Sequence, residues 1–103
     1  EGEVANNARI EGNVKIGERT HIIGRTLIRG PVVIGEGCVI RDSYIGPYTS
    51  IGNKTELDRT EIEYSLVMNY VNINTRKKIV NSVIGNNSSI ISEASFSAFL
   101  PTA

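Results

Sequence analysis

The 103-residue chain has no tryptophan, one methionine, one cysteine and one histidine. Each shortage removes a class of explanation. With only four tyrosines and two phenylalanines, the core cannot be built on large rings. A single cysteine, Cys38, excludes a disulfide within the chain and is compatible with a reducing cytoplasm, the expected location. A single histidine, His21, leaves too few imidazoles for a three-histidine zinc site. Eleven acids balance eleven bases, so there is no electrostatic case for a nucleic-acid or bilayer partner. No run of about 18 apolar residues is present, so no membrane-spanning helix is expected. No secretory signal is visible at the N-terminus. The chain starts at Glu1, without Met and already in phase with the pattern described next, which reads as a segment of a longer protein.

What the chain does have is a ladder. An apolar residue recurs every five or six positions from Val4 to Phe96, with Ile at most rungs. A small or β-branched residue stands two positions before nearly every rung, as at Thr20, Val32, Cys38, Ser43 and Thr55; Lys77 breaks this second rule. A helix requires a period near 3.6 and a flat strand a period of 2. A period near six fits neither, but it fits a short strand with residues i−2 and i facing inward, then a turn, then another short strand. Repeated, this builds a solenoid whose coils bury their inner faces against one another. A β-sandwich would need longer strands and no fixed six-residue phase. Gly or Asn often falls three residues after a rung (Asn7, Asn13, Gly37, Asn87), where a tight corner calls for a left-handed backbone.

Three strands per coil close such a repeat. Sorted by threes, one face collects the core ladder Ile16, Ile34, Ile51, Val67 and Ile84. The residues that follow these rungs are Gly17, Gly35, Gly52, Met68 and Gly85, a glycine column that neither other face has. Coils on this face recur at 18, 17, 16 and 17 residues, so the five-residue steps are single deletions that keep the coil count. The outward residues here are Lys15, Val33, Ser50, Leu66 and Val83, whereas the other two faces carry more charge. The strip Val33, Leu66 and Val83 is therefore read as a contact face for a second subunit or a neighbouring domain.

Two segments are irregular. Consecutive five-residue steps at Leu57, Ile62 and Val67 should tighten or distort one coil. The repeat fades after residue 93. Residues 94–103 are read either as a cap, with Phe96, Phe99 and Leu100 folded over the last coil, or as a loose tail.

The phrases RGPVVIGEGCVI (29–40), DSYIGPYTSIGN (42–53), TEIEYSLVM (60–68) and KKIVNSVIGNNSSI (77–90) resemble the C-terminal left-handed β-helix of long-form glucose-1-phosphate thymidylyltransferases. The resemblance covers about residues 8–91. The bare hexapeptide pattern is shared by many acyltransferases; SYIGPYTSIG followed by EIEYSLVM and IVNSVIG is more specific. The resemblance implies an all-β chain, a single-stranded left-handed parallel β-helix of about five to six coils over residues 1–93. Left-handed coiling comes from the likeness alone, since periodicity does not set hand and the usual crossover is right-handed. The likeness also implies an N-terminal nucleotidyltransferase domain, absent from this chain, that joins dTTP and glucose 1-phosphate into dTDP-glucose and pyrophosphate with Mg²⁺. Nothing in these residues matches a phosphate cradle, because the glycines are spaced by coils and not clustered before a helix. The segment is therefore expected to be non-catalytic, with no cofactor of its own, and to serve assembly, domain docking or regulation. Its expected partners are its own nucleotidyltransferase domain and further copies in a homo-oligomer, a trimer being common on this fold. The alternative is a hexapeptide-class acyltransferase using acetyl-CoA, with His21 as the base that takes a proton from the acceptor. His21 precedes rung Ile22 and should point outward, with no long loop nearby to build a pocket. An ice-binding solenoid would need Thr arrayed outward, whereas the Thr residues here fall mostly at inward positions.

Overall fold

The computed structural model describes residues 3–4 and 7–91. Within them the chain forms 16 strands of two or three residues, and no helix is present among the described residues. The strands fall into three parallel sheets. Sheet I holds β1 (Glu3–Val4), β4 (His21–Ile23), β7 (Val39–Arg41), β10 (Glu56–Asp58), β13 (Asn72–Asn74) and β16 (Ser89–Ile91). Sheet II holds β2 (Arg9–Glu11), β5 (Leu27–Arg29), β8 (Tyr44–Ile45), β11 (Glu61–Glu63) and β14 (Lys78–Val80). Sheet III holds β3 (Val14–Ile16), β6 (Val32–Ile34), β9 (Thr49–Ile51), β12 (Leu66–Val67) and β15 (Val83–Ile84). Each strand pairs with the strand three places along the chain, so about five turns stack into a β-solenoid. The expected cap or tail at 94–103 lies outside the described residues.

The rungs meet one another in register. Ile16 pairs with Ile34, Ile34 with Ile51, Ile51 with Val67 and Val67 with Ile84. The interior coils bury them: Ile22, Ile28, Ile40, Ile45, Ile62 and Ile73 are fully enclosed. Towards the ends Ile16, Ile79 and Ile90 are only partly buried and Ile10 is exposed. Burying one such side chain contributes roughly 1.5–3 kcal/mol, which makes the ladder the main source of cohesion.

The small residues before the rungs are hydrogen-bonding elements as well as spacers. Thr26 Oγ1 donates to the Ile23 carbonyl at 2.8 Å and accepts the Ser43 N–H of the next coil at 3.2 Å. Ser43 Oγ in turn accepts the Thr60 N–H at 3.2 Å. A hydroxyl at this position satisfies corner peptides that burial would otherwise leave unpaired. At the exception, Lys77 is exposed and Thr75 takes the interior place, where its hydroxyl accepts the Lys77 N–H at 3.2 Å.

The five-residue steps do not distort their coils. β10, β11 and β12 keep in-register partners on both sides. The deletion is absorbed at the corners. Asp42, Arg59, Tyr64 and Asn81 each stand two residues after a rung that opens a five-residue step, and each has positive φ. In six-residue steps the left-handed residue usually comes three after the rung, as at Arg19, Gly37, Tyr48, Lys54, Tyr70 and Asn87. The expectation of Gly or Asn at corners thus holds at Gly37 and Asn87; beside Asn13 the left-handed residue is Gly12, and most corners carry Arg, Lys, Asp or Tyr. A left-handed side chain costs roughly 1–2 kcal/mol. The cost is offset by bonds back to the preceding coil, among them Tyr48 N–H to the Pro31 carbonyl and Lys54 N–H to the Glu36 carbonyl, both 2.7 Å.

Candidate contact face

Sheet III differs from the other two in what lies just after its rungs and in what points outward. Gly17, Gly35 and Gly52 donate their N–H groups to the carbonyls of Ile34, Ile51 and Val67 at 2.8–2.9 Å. A Cβ on Gly17 would lie 2.6 Å from the Gly35 carbonyl, and one on Gly52 would lie 2.6 Å from the Met68 carbonyl. The column is glycine because the backbone of the next coil occupies the space of a side chain. Gly85, in the last coil of this sheet, has nothing within 4 Å of that position.

The outward residues form a second column. Lys15 pairs with Val33, Val33 with Ser50, Ser50 with Leu66 and Leu66 with Val83. Val33, Leu66 and Val83 are exposed, Val83 at 72%. Tyr48 and Tyr64 stand along the corner leading into the sheet, Met68 and Tyr70 along the corner leading out of it, and all four are exposed. Ten large apolar side chains are exposed among the described residues, and five of them, Val33, Tyr48, Tyr64, Leu66 and Val83, line one groove over sheet III. An apolar patch gathered in this way marks a contact surface more than scattered exposure does.

The two rings make a wall. Tyr48 and Tyr64 stack with centroids 5.5 Å apart and planes 22° from parallel. Beside them, a groove of about 650 Å³ runs over the outward column from Lys15 to Val83. Sequence reasoning missed both tyrosines, since they lie off the ladder. The available signal was that each follows a rung of sheet II at a turning position, one coil apart.

Charge is kept elsewhere. Across coils Arg29 meets Glu11 at 3.5 Å and Lys78 meets Glu63 at 3.1 Å beside sheet II; Arg41 meets Asp58 at 3.5 Å beside sheet I. Glu63 holds the Lys78 ammonium above its ordinary pKa, mainly through their hydrogen bond. On the groove floor Lys15 is the single charged residue of its column.

His21 lies on β4 in sheet I, exposed, in register with Glu3 and Val39 and outside the groove. Cys38 is fully buried, and burial pushes its thiol pKa up, against the nucleophilic thiolate form. No group of three His, Cys, Asp or Glu side chains placed to hold a metal ion occurs among the described residues, so the Mg²⁺ implied by the resemblance is not assigned to them. No helix of the described residues is long and apolar enough to cross a membrane.

The solenoid and its apolar side can be set beside known proteins. A glucose-1-phosphate thymidylyltransferase from Streptomyces antibioticus is 37% identical over 87 residues, covering 84% of this chain and 24% of that protein. This chain is a partial relative of the glucose-1-phosphate thymidylyltransferases. A second such enzyme, from Streptomyces griseus, is 33% identical across 68% of this chain and 23% of its own length. A low-salt glycan biosynthesis nucleotidyltransferase, Agl11 of Haloferax volcanii, is 41% identical over 54 residues, which is 15% of that protein. The chain thus spans about a quarter of the length of the thymidylyltransferases it matches. No protein-family model matches it.

Proposed function

We propose that this chain is the non-catalytic, C-terminal left-handed β-helix of a sugar nucleotidyltransferase, serving assembly, domain docking or regulation. The observation that carries the reading is the partial match itself. Nearly the whole chain aligns with about a quarter of a thymidylyltransferase, and its described part is solenoid from end to end. The parent reaction would be dTTP plus glucose 1-phosphate giving dTDP-glucose and pyrophosphate, carried out by a domain outside these residues. The solenoid supports that domain through its surface. Among the described residues, exposed apolar side chains gather over sheet III, where Val33, Leu66 and Val83 line a groove with Tyr48 and Tyr64.

The test compares the full-length parent with a version lacking residues 1–103. Dependence of either its mass in solution or its rate of dTDP-glucose formation on the segment supports the reading. In parallel, this chain is assayed for acetyl transfer from acetyl-CoA to sugar-phosphate acceptors. Transfer that disappears in His21→Ala would overturn the proposal in favour of an acyltransferase. For the contact face, Leu66→Glu with Val83→Glu should abolish assembly while the β signal in circular dichroism stays intact. Unchanged mass in solution and an unchanged domain arrangement in that double variant would count against sheet III.

A further inference from the structure

The C-terminal end of the solenoid is stepped. Sheet I reaches β16, whereas β14 is the outermost described strand of sheet II. The next strand in the winding order therefore falls on sheet II, beside β14. Two observations mark that side of β14 as a seat for it. Ile79, the inward residue of β14, is only partly buried, although Ile28, Ile45 and Ile62 of the same sheet are fully enclosed. The peptide groups repeat as well. Arg9, Leu27 and Tyr44 donate their N–H groups to the carbonyls of Thr26, Ser43 and Thr60 in the following coil, at 2.8–2.9 Å. Lys78 extends this column, in register with Glu61, and the matching acceptor belongs to a coil beyond β14. An open strand edge of this kind is a template for pairing.

The chain continues from Ile91, where β16 ends, through residues outside the described part. Corners from sheet I to sheet II take two or three residues: 24–26, 42–43, 59–60 and 75–77. A two-residue corner after Ile91 would turn Ser95 inward. A three-residue corner turns Phe96 inward, with the small Ala94 two places before it. Only the second keeps the rule of the earlier coils, a small residue and then an apolar rung. It sets Ser95 beside Lys78, Phe96 beside Ile79 and Ser97 beside Val80, the same 17-residue spacing that joins Glu61 to Lys78. Every earlier rung of sheet II is Ile. A phenylalanine ring carries more apolar area, which suits a last rung with a neighbour on one side only. Ser95 and Ser97 supply the polar outer face that a capping repeat has.

We propose that residues 95–97 bind the outer edge of β14 as a sixth strand of sheet II and close this part of the solenoid end, with Phe96 over Ile79. The strand covers sheet II alone, so the open space beside Gly85 on sheet III is kept. The occupant of the β14 edge is thus a segment of the same chain, and the edge is withheld from other chains.

The experiment is disulfide trapping in the 103-residue chain with three cysteine pairs. K78C/S95C and V80C/S97C are in register; K78C/S97C is not. Cys38 is fully buried and takes no part. Paired residues on neighbouring strands lie about 4.8 Å apart, within disulfide reach, whereas the out-of-register pair lies about 8 Å apart, beyond it. Both in-register pairs should close about tenfold or more faster than the third. Equal rates for all three would describe a loose segment, and closure of none would describe a segment seated elsewhere; either overturns the proposal. A second measurement needs no cysteine. In Phe96→Ser, hydrogen exchange at the Lys78 and Val80 amides should quicken about tenfold or more while Ile45 stays slow. Unchanged exchange at both amides overturns the proposal as well.

Discussion

Thr20 Oγ1 accepts the backbone N–H of Cys38 at 3.1 Å and donates to the Gly35 carbonyl at 2.7 Å. Thr55, one coil beyond Cys38, repeats both bonds, to the Val71 N–H at 3.3 Å and the Met68 carbonyl at 3.0 Å. Cys38 stands between them in the same buried column, with its thiol donating to the Gly52 carbonyl at 3.0 Å. The cysteine is therefore a threonine substitute, and Cys38→Thr should fit with a change of no more than about 1 kcal/mol in unfolding free energy at neutral pH.

The same site predicts a pH dependence. Burial raises the Cys38 thiol pKa, and bonds from Thr55, Thr20 and Lys54 only partly counter it. The folded state thus holds this proton more tightly than the unfolded chain. The contribution is fully present below the unfolded thiol's value of about 8.5. It is lost as pH rises towards and through the raised folded value. Urea midpoints for wild type should fall more steeply above about pH 8.5 than those of Cys38→Thr. Parallel curves for the two proteins would contradict the assignment.

Glycine is required in the column beside sheet III where the backbone of the next coil crowds it, at Gly17, Gly35 and Gly52. A Cβ on Gly35 would lie 2.8 Å from the Gly52 carbonyl carbon and meet the Asn53 side chain still more closely. Gly35→Ala should cost about 1–3 kcal/mol, the usual range for overpacking. Gly85→Ala, with open space around it, should stay within about 0.5 kcal/mol of wild type. Thermal unfolding of the pair decides this, and equal losses would refute the packing argument.

The ladder has its own contrast. Ile51 is 2% exposed with Ile34 and Val67 on either side. Ile51→Ala should cost about 2–5 kcal/mol. Glu56, exposed on β10, should tolerate Ala within about 0.5 kcal/mol. Chemical denaturation of both variants reads the difference directly.

A ladder of asparagines runs along the corner that leaves sheet III. Asn53 Oδ1 accepts the Glu36 N–H at 2.9 Å, Asn69 Oδ1 the Asn53 N–H at 2.7 Å and Asn86 Oδ1 the Asn69 N–H at 2.9 Å. Removing one member should open one corner peptide. Asn69→Ala should cost about 0.5–1.5 kcal/mol, and hydrogen exchange should quicken at the Asn53 amide while Ile73 in the core stays slow.

The apolar period was enough to place the rungs inside, because an Ile every five or six residues can be buried only if the chain turns at that interval. The coil length, the glycine column and the outward strip at Val33, Leu66 and Val83 follow from the same count. Residue type could not locate the turns. Arg59 and Tyr64 adopt left-handed backbone because the preceding coil supplies hydrogen-bond partners, the Arg41 and Pro47 carbonyls, and those partners lie about 17 residues away in the chain. The substitution of Thr75 for Lys77 in the interior has the same origin. Nor could the sequence alone bring Tyr48 and Tyr64 together as a wall, since ring contact depends on how successive coils stack. Local pattern determined which residues are buried; the stacking of coils decided which exposed ones became neighbours, because that distance is set by hydrogen bonds between turns and not by position along the chain.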